Sequence, residues 1–335
     1  MDAEQLHRRR AARALERRRR SQRRRFVAVG ALVAVVVVAG VAIATSVGGG
    51  SSGNTSAPKR ASHTSRNAGG SSAQHAHHGA STASVLGPAT GQPGHAAVPV
   101  LMYHVIAAPP AGAPFPGLYV QADEFAAQMQ ALKAAGWHAV TLDQLRAYWS
   151  HGAELPPGKP IVLTFDNGYH SQYASALPVL KKLGWVADEN IQLSGLPPSQ
   201  GGLTDDEVRA LVNAGWELDT QGISHADLIA LDASQLHYQV ATARQIIRRR
   251  YGVPVNWFCY PSGHYNSTVI AAVRSAGYVG STTVIPGWAG PSNDPYALPR
   301  LRVLGGTSPS ALLEQIASNR TASPPPSSYG GAGTA

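Results

Sequence analysis

PIVLTF, residues 160–165, running straight into Asp166-Asn167-Gly168, is the stretch on which the fold turns. Its apolar run is continuous rather than alternating, so it reads as a strand buried on both faces. Working outward, VPVLMYH (98–104) reads as a second strand, and residues 124–136 carry Phe125, Met129 and Leu132 at helical spacing. A short helix follows over 142–149. Downstream, 171–184 reads as a helix kinked near Pro178. Thr204-Asp205-Asp206-Glu207 is a capping box that starts a helix to about Ala214. Residues 216–219 are strand-like, 233–251 form a long amphipathic helix, and VNWFCY (255–260) is a strand. Asn266 caps a helix to Ala276, 278–284 and 300–304 are short strands, and 308–318 is a last helix. This strand–helix alternation predicts an α/β fold with a parallel sheet, closed or partly closed into a barrel.

In such a barrel chemistry gathers at the C-terminal ends of the strands. The polar residues expected there are His104, Asp166 with Asn167, Gln221 with His225, the run Tyr260-Pro261-Ser262-Gly263, and Asp294 with Arg300 around the last strand. Five such ends on one face predict a pocket.

The rest of the 335-residue chain is organised around this domain. Residues 1–25 hold 11 arginines against Asp2, Glu4 and Glu16, so almost all of the net charge of +9 is a basic tail. A nucleic-acid-binding domain would need that charge on its own surface, and the balance argues against one. Phe26–Val47 is 22 residues without a charge, long enough to span a bilayer. With arginines preceding it, the N-terminus is expected in the cytoplasm and everything after Val47 outside it. A cleavable signal peptide, cut near Ala42-Ile43-Ala44, is the other reading of the same run. The arginines then lie against anionic lipid headgroups, worth about 1 kcal/mol each. Residues 48–97, poor in large apolar groups, read as a disordered linker. Its His63, His75, His77, His78 and His95 are either solvated or a weak metal site. The folded domain is expected over 98–320, with a disordered tail, 321–335, around Pro324-Pro325-Pro326. Cys259 is the only cysteine, so the chain has no intrachain disulfide, and its apolar surroundings read as packing rather than nucleophilic chemistry.

VPVLMYH (98–104), LTFDNGY (163–169), ELDTQGISHADL (217–228), FCYPSGHYN (258–266) and DPYALPRLRV (294–303) together resemble the polysaccharide deacetylases, the NodB-homology domain, in its exopolysaccharide-deacetylase branch. The resemblance implies a distorted (β/α)7-type barrel and a zinc-like divalent metal held by one Asp and two His. It implies hydrolysis of the N-acetyl group of a glucosamine-type sugar in a polymer such as peptidoglycan, the metal activating water. By the same resemblance Asp166 is the general base, His104 the acid and His225 a metal ligand, while the Tyr260–Gly263 loop, through the Ser262 backbone, meets substrate and oxyanion. The branch lacks an Arg found elsewhere in the family before this loop, and Cys259 stands there.

Two positions depart from the pattern. Asn167 stands at the family's metal-binding Asp and Gln221 at its first metal His, and amide oxygens are weak ligands for zinc-like ions. Asp219, two residues before Gln221, is a candidate replacement carboxylate, or else a cap for nearby backbone. Three readings follow: an active deacetylase with an altered site, a metal-free descendant that keeps the glycan groove, or a wall-anchoring protein with no glycan site. Trp185, Trp216, Trp257 and Trp288 are candidates for sugar stacking or for core, and His170 and His264 either reach the pocket or lie solvated beside it.

Overall fold

The computed structural model describes residues 89–196 and 201–331, all within the second of two compact units, His77–Ala335. The expected basic tail, the membrane segment and all but the end of the linker lie outside the described residues. Among the described residues no helix is long and apolar enough to cross a membrane.

The strand at 160–165 is the longest of a nine-stranded sheet and lies at its centre. The elements are β1 (Val98–Tyr103), α1 (Ala122–Ala134), β2 (Trp137–Val140), α2 (Leu142–His151), β3 (Lys159–Asn167), α3 (Leu177–Leu183), β4 (Asp188–Ile191), α4 (Asp205–Asn213) and β5 (Glu217–Thr220). There follow α5 (Ala233–His237), α6 (Ala243–Tyr251), β6 (Trp257–Cys259), α7 (Ser267–Ser275), β7 (Gly280–Thr282), β8 (Trp288–Ala289), β9 (Leu301–Arg302) and α8 (Pro309–Ser318). The order is β7-β6-β5-β4-β3-β1, parallel throughout, with β2 beside the first half of β3 and β9 beside β1. Only β8 runs antiparallel, against the start of β1. Leu298 bridges to Thr282 at the end of β7, so the segment 298–302 joins the two sides of the sheet into a distorted barrel.

Alternation along β3 explains why it reads as apolar on both faces. Ile161, Leu163 and Phe165 pack outward on Phe125, Met129, Leu132 and Leu180. Val162 points inward with Val98, Val100, Val140 and Trp257, and Thr164 and Asp166 continue that inner face upward. Side-chain caps start the helices where the sequence places them: Thr141, Thr204, Asp232, Asn266 and Ser308 each accept a backbone N–H of the first turn.

Four expectations need correction. β4 was not foreseen, because Asp188, Glu189 and Asn190 look like a loop yet are fully buried. The kink in 171–184 is a π-helical turn, Gln172–Ala176, ahead of Pro178 rather than a break at it. The long helix over 233–251 is likewise interrupted, by a π-helical turn at Tyr238–Thr242. The tail expected to be disordered is paired: Tyr265 and Tyr329 exchange two backbone hydrogen bonds of 2.7 and 2.8 Å.

Candidate active site

A cleft of about 440 Å³ opens at the C-terminal ends of the strands. His104, Asp166, Asn167, Gln221, His225, Tyr260, Ser262 and Gly263 all line it, as do Gln192, Phe115 and Arg302. Four of the five strand ends therefore converge; at the fifth Asp294 turns away to accept the Tyr296 N–H, and Arg300 is buried against Asp166. Three of the cleft residues, Asn167, His225 and Ser262, have positive φ (80°, 52° and 56°), a backbone state that non-glycine residues adopt at a cost and that clusters at functional sites. Gly168 completes the turn at φ 88°, where an added Cβ would come within 2.9 Å of Ile191.

Asp166 ends the inner face of β3 with 1% of its surface exposed. Arg300, equally buried, grips it bidentately, Nη1 donating to Oδ1 at 2.7 Å and Nη2 to Oδ2 at 2.9 Å. Asn190 Nδ2 adds a bond to Oδ1 at 2.9 Å, and the Cys259 thiol one to Oδ2 at 3.4 Å. Burial alone pushes the Asp166 carboxyl up, but the Arg300 charge and these bonds outweigh it and hold the group at about 2. Arg300 also stands beside Cys259 in space, its Nη2 3.2 Å from the sulfur. Burial raises the Cys259 thiol to about 12, so it is a neutral relay and not a nucleophile.

Asn167 and Gln221 are joined to each other. Asn167 Nδ2 donates to Gln221 Oε1 and to Gln192 Oε1, both at 2.9 Å. The orientations are fixed by the far ends: Gln192 Nε2 donates to Ser194 O at 2.8 Å, and Gln221 Nε2 to Cys259 Sγ at 3.4 Å. Asn167 must then present its two N–H groups to the two carbonyls. Asp219 does not supply a carboxylate to the cleft: its Oδ1 accepts the Asn256 and Trp257 N–H groups at 3.1 and 2.8 Å. It belongs instead to a buried acidic cluster with Asp188 and Glu217, the first residues of β4 and β5, whose oxygens lie within 4.8 Å of one another. The Leu142 and Asp143 N–H groups at the start of α2 donate to Asp188 and Glu217, and burial pushes the Glu217 carboxyl up to about 8.

Two glutamines on the unforeseen π-helical turns brace the site. Gln172 Nε2 donates to the His104 and Asp166 carbonyls, both at 2.9 Å, tying the ends of β1 and β3 together. Gln239 Oε1 accepts the Ile223 and Ser224 N–H groups and so shapes the loop that carries His225. Nothing local in sequence marks them, because each looks like a polar position on a helix. His104 Nδ1 is buried with no hydrogen-bond partner, and burial, opposed by the Asp166 charge, lowers the ring to about 4. Burial also lowers His225. In the Tyr260–Gly263 loop the Gly263 and His264 N–H groups are committed to the Tyr260 and Pro261 carbonyls, which leaves the Ser262 N–H as the candidate for an oxyanion.

The tryptophans do not line the cleft. Trp185, Trp216 and Trp257 are core residues, and Trp288 packs edge-on against Trp137. The exposed aromatic ring at the cleft is Phe115, 52% accessible and held between Pro114 and Pro116. His170 turns away to Glu207, 2.8 Å from its Oε1.

The family description "Polysaccharide deacetylase" matches residues 154–281. YxkH of Bacillus subtilis (strain 168), a protein assigned by name to the polysaccharide deacetylases, is 30% identical over 224 residues, 67% of this chain and 77% of its own length. The chain belongs to the polysaccharide deacetylase family. Among solved structures it is similar to the Streptococcus pyogenes deacetylase PplD in complex with acetate, with 26% identity, a TM-score of 0.61, and coverage of 67% of this chain and 99% of that one. It is also similar to BC0361, a polysaccharide deacetylase from Bacillus cereus, with 25% identity, a TM-score of 0.58, and coverage of 66% and 69%.

The deacetylase family is in general metal-dependent. A divalent ion needs lone pairs converging on it. At the two replaced positions the Asn167 side chain directs N–H donors toward the neighbouring carbonyls, and the Gln221 oxygen is already engaged by one of them. Only the His225 imidazole remains of the trio, and these residues do not fit a zinc-like ion.

Proposed function

We propose that this chain is a membrane-anchored, extracytoplasmic member of the polysaccharide deacetylase family that binds N-acetylated envelope glycan in the cleft without metal-assisted hydrolysis. The observation that carries the reading is the 2.9 Å hydrogen bond from Asn167 Nδ2 to Gln221 Oε1, which puts an amide pair where the family places two metal ligands. The Asp166 carboxylate is also poorly suited to take a proton from water, being saturated by Arg300, Asn190 and Cys259. The lining still suits a neutral sugar: amides and imidazoles to bond hydroxyls and an acetamido group, with the exposed Phe115 ring at the rim. The uncharged run Phe26–Val47 behind an arginine-rich tail supports the anchor, and the linker of about 50 residues supports reach into the wall.

Retention of Asp166 and His104 together supports a second reading, an active hydrolase with an altered site. One experiment separates them: calorimetric binding and acetate release on N-acetylglucosamine oligomers, peptidoglycan and poly-N-acetylglucosamine, with and without zinc. Binding without release is expected. Zinc-stimulated release would overturn the reading in favour of the second. The anchor is tested by protease treatment of intact cells, which should digest the domain while the tail at 1–25 survives.

A further inference from the structure

His264 lines the cleft directly after the Tyr260–Gly263 loop, and both of its ring nitrogens are spent on the protein. Nδ1 lies 3.0 Å from Asp227 Oδ1, and Nε2 lies 2.8 Å from the carbonyl oxygen of Gly331. Each nitrogen faces a protein oxygen, so the ring meets a ligand in the cleft through its carbon atoms. The second of these contacts comes from the C-terminal segment. That segment is fastened by the paired backbones of Tyr265 and Tyr329 and by the Tyr265 hydroxyl, which donates to the Pro326 carbonyl at 2.6 Å. The Tyr329 ring packs near His264, centroids 6.3 Å apart and planes at 60°. Tyr265 in turn stacks on Tyr260, another cleft residue, at 4.9 Å and 22°. The segment is thus linked to the cleft wall at two places, through His264 and through the Tyr265–Tyr260 stack. Most of these bonds are accepted by its backbone carbonyls, so a run of Pro, Ser and Gly can make them.

We propose that His264 is a stacking platform for a sugar residue adjoining the N-acetylated one in the cleft, and that Pro326–Gly331 is the positioning segment that holds its ring there. This rests on the glycan reading above. It adds a second sugar position and makes the C-terminus part of the binding site.

The test compares the full chain with a chain ending at Ser323, with His264→Ala, and with both changes together. Each is titrated with N-acetylglucosamine and with its β-linked trimer, and melting is followed in parallel. Stacking on one ring predicts that either change weakens the trimer by about three- to tenfold. The two together should cost no more than one alone, because they act through the same ring. Monomer affinity should move less than about twofold in every variant. Unchanged trimer affinity in the shortened chain or in His264→Ala overturns the proposal, as does a loss that falls equally on the monomer. If the full chain binds neither sugar, the glycan reading and the stacking role both fall. Positioning is then decided by solvent exchange of the His264 ring N–H proton in NMR spectra. Slow solvent exchange in the full chain that becomes fast in the shortened one supports it, and equal exchange in both overturns it.

Discussion

Replacing Arg300 by Met should destabilise the domain severely, and the size of the loss can be worked from its surroundings. Arg300 is 1% exposed and donates to both Asp166 oxygens, to Thr164 Oγ1 at 2.9 Å, to Cys259 Sγ and, through Nε, to the Thr283 carbonyl at 2.8 Å. Met fills similar volume but leaves the Asp166 charge buried and unpaired. Breaking one partner of a buried pair costs about 3–5 kcal/mol, against a total stability of about 5–15 for an ordinary domain. Adding Asp166→Asn to Arg300→Met removes the stranded charge and should recover most of the loss. The assay is urea unfolding followed by tryptophan fluorescence, run as a double-mutant cycle. In the parent, Asp166 is held below the ordinary carboxylate range, so its stabilising contribution is present above about pH 4 and lost as pH falls through about 2. In Arg300→Met the burial that remains raises the carboxyl instead. The folded state then binds the proton more tightly than the unfolded chain, and the stability gap to the parent should narrow between pH 7 and pH 5. A loss under about 1 kcal/mol, or a gap that does not change with pH, would refute the account of Asp166 as a charge that only Arg300 makes tolerable.

His104, lowered to about 4 by burial, binds its proton more readily in the unfolded chain, so stability should fall by up to ~3 kcal/mol as pH drops from about 6.5 to 4. His104→Gln should flatten that limb of a melting-against-pH curve. Glu217, raised to about 8, has the opposite sign: stability is lost as pH rises from about 4.5 to 8, and Glu217→Gln should remove that loss. Phe115→Ala should weaken binding of N-acetylglucosamine oligomers about three- to tenfold with melting unchanged, since the ring is 52% exposed. Asn167→Asp with Gln221→His should bring back zinc affinity in calorimetry. Absence of zinc binding in that variant would show that the pocket's geometry, and not its ligands alone, has departed from the family's.

The parts of the fold legible in sequence are those encoded locally. β3 announces itself by an unbroken apolar run, and α4 by the reciprocal bonds between Thr204 and Glu207. β4 does not, because Asp188-Glu189-Asn190 violates every strand pattern; the partners of Asp188 and Asn190 are distant in sequence, the Leu142 N–H at the start of α2 and the Asp166 carboxylate. The site divides in the same way. Its positions were legible because the barrel puts strand ends on one face. Its connections were not, because Arg300 reaches Asp166 from 134 residues away and Asn167 reaches Gln221 from 54.

Those connections also change what the two departures from the family mean. Gln192, Asn167, Gln221, Cys259 and Asp166 form one hydrogen-bonded chain, in which each amide's orientation is set by its neighbour and which ends on the Arg300 pair. Reverting Asn167 to Asp alone would set a carboxylate against two carbonyl oxygens, Gln192 Oε1 and Gln221 Oε1. Turning Gln221 over to relieve that contact would withdraw its N–H from Cys259, the thiol that donates to Asp166. Asn167 and Gln221 are therefore a matched pair and not two separate losses. Together they supply the polar partners that buried groups require once no cation stands between them, and they leave the Asp166–Arg300 pair intact at the cleft floor.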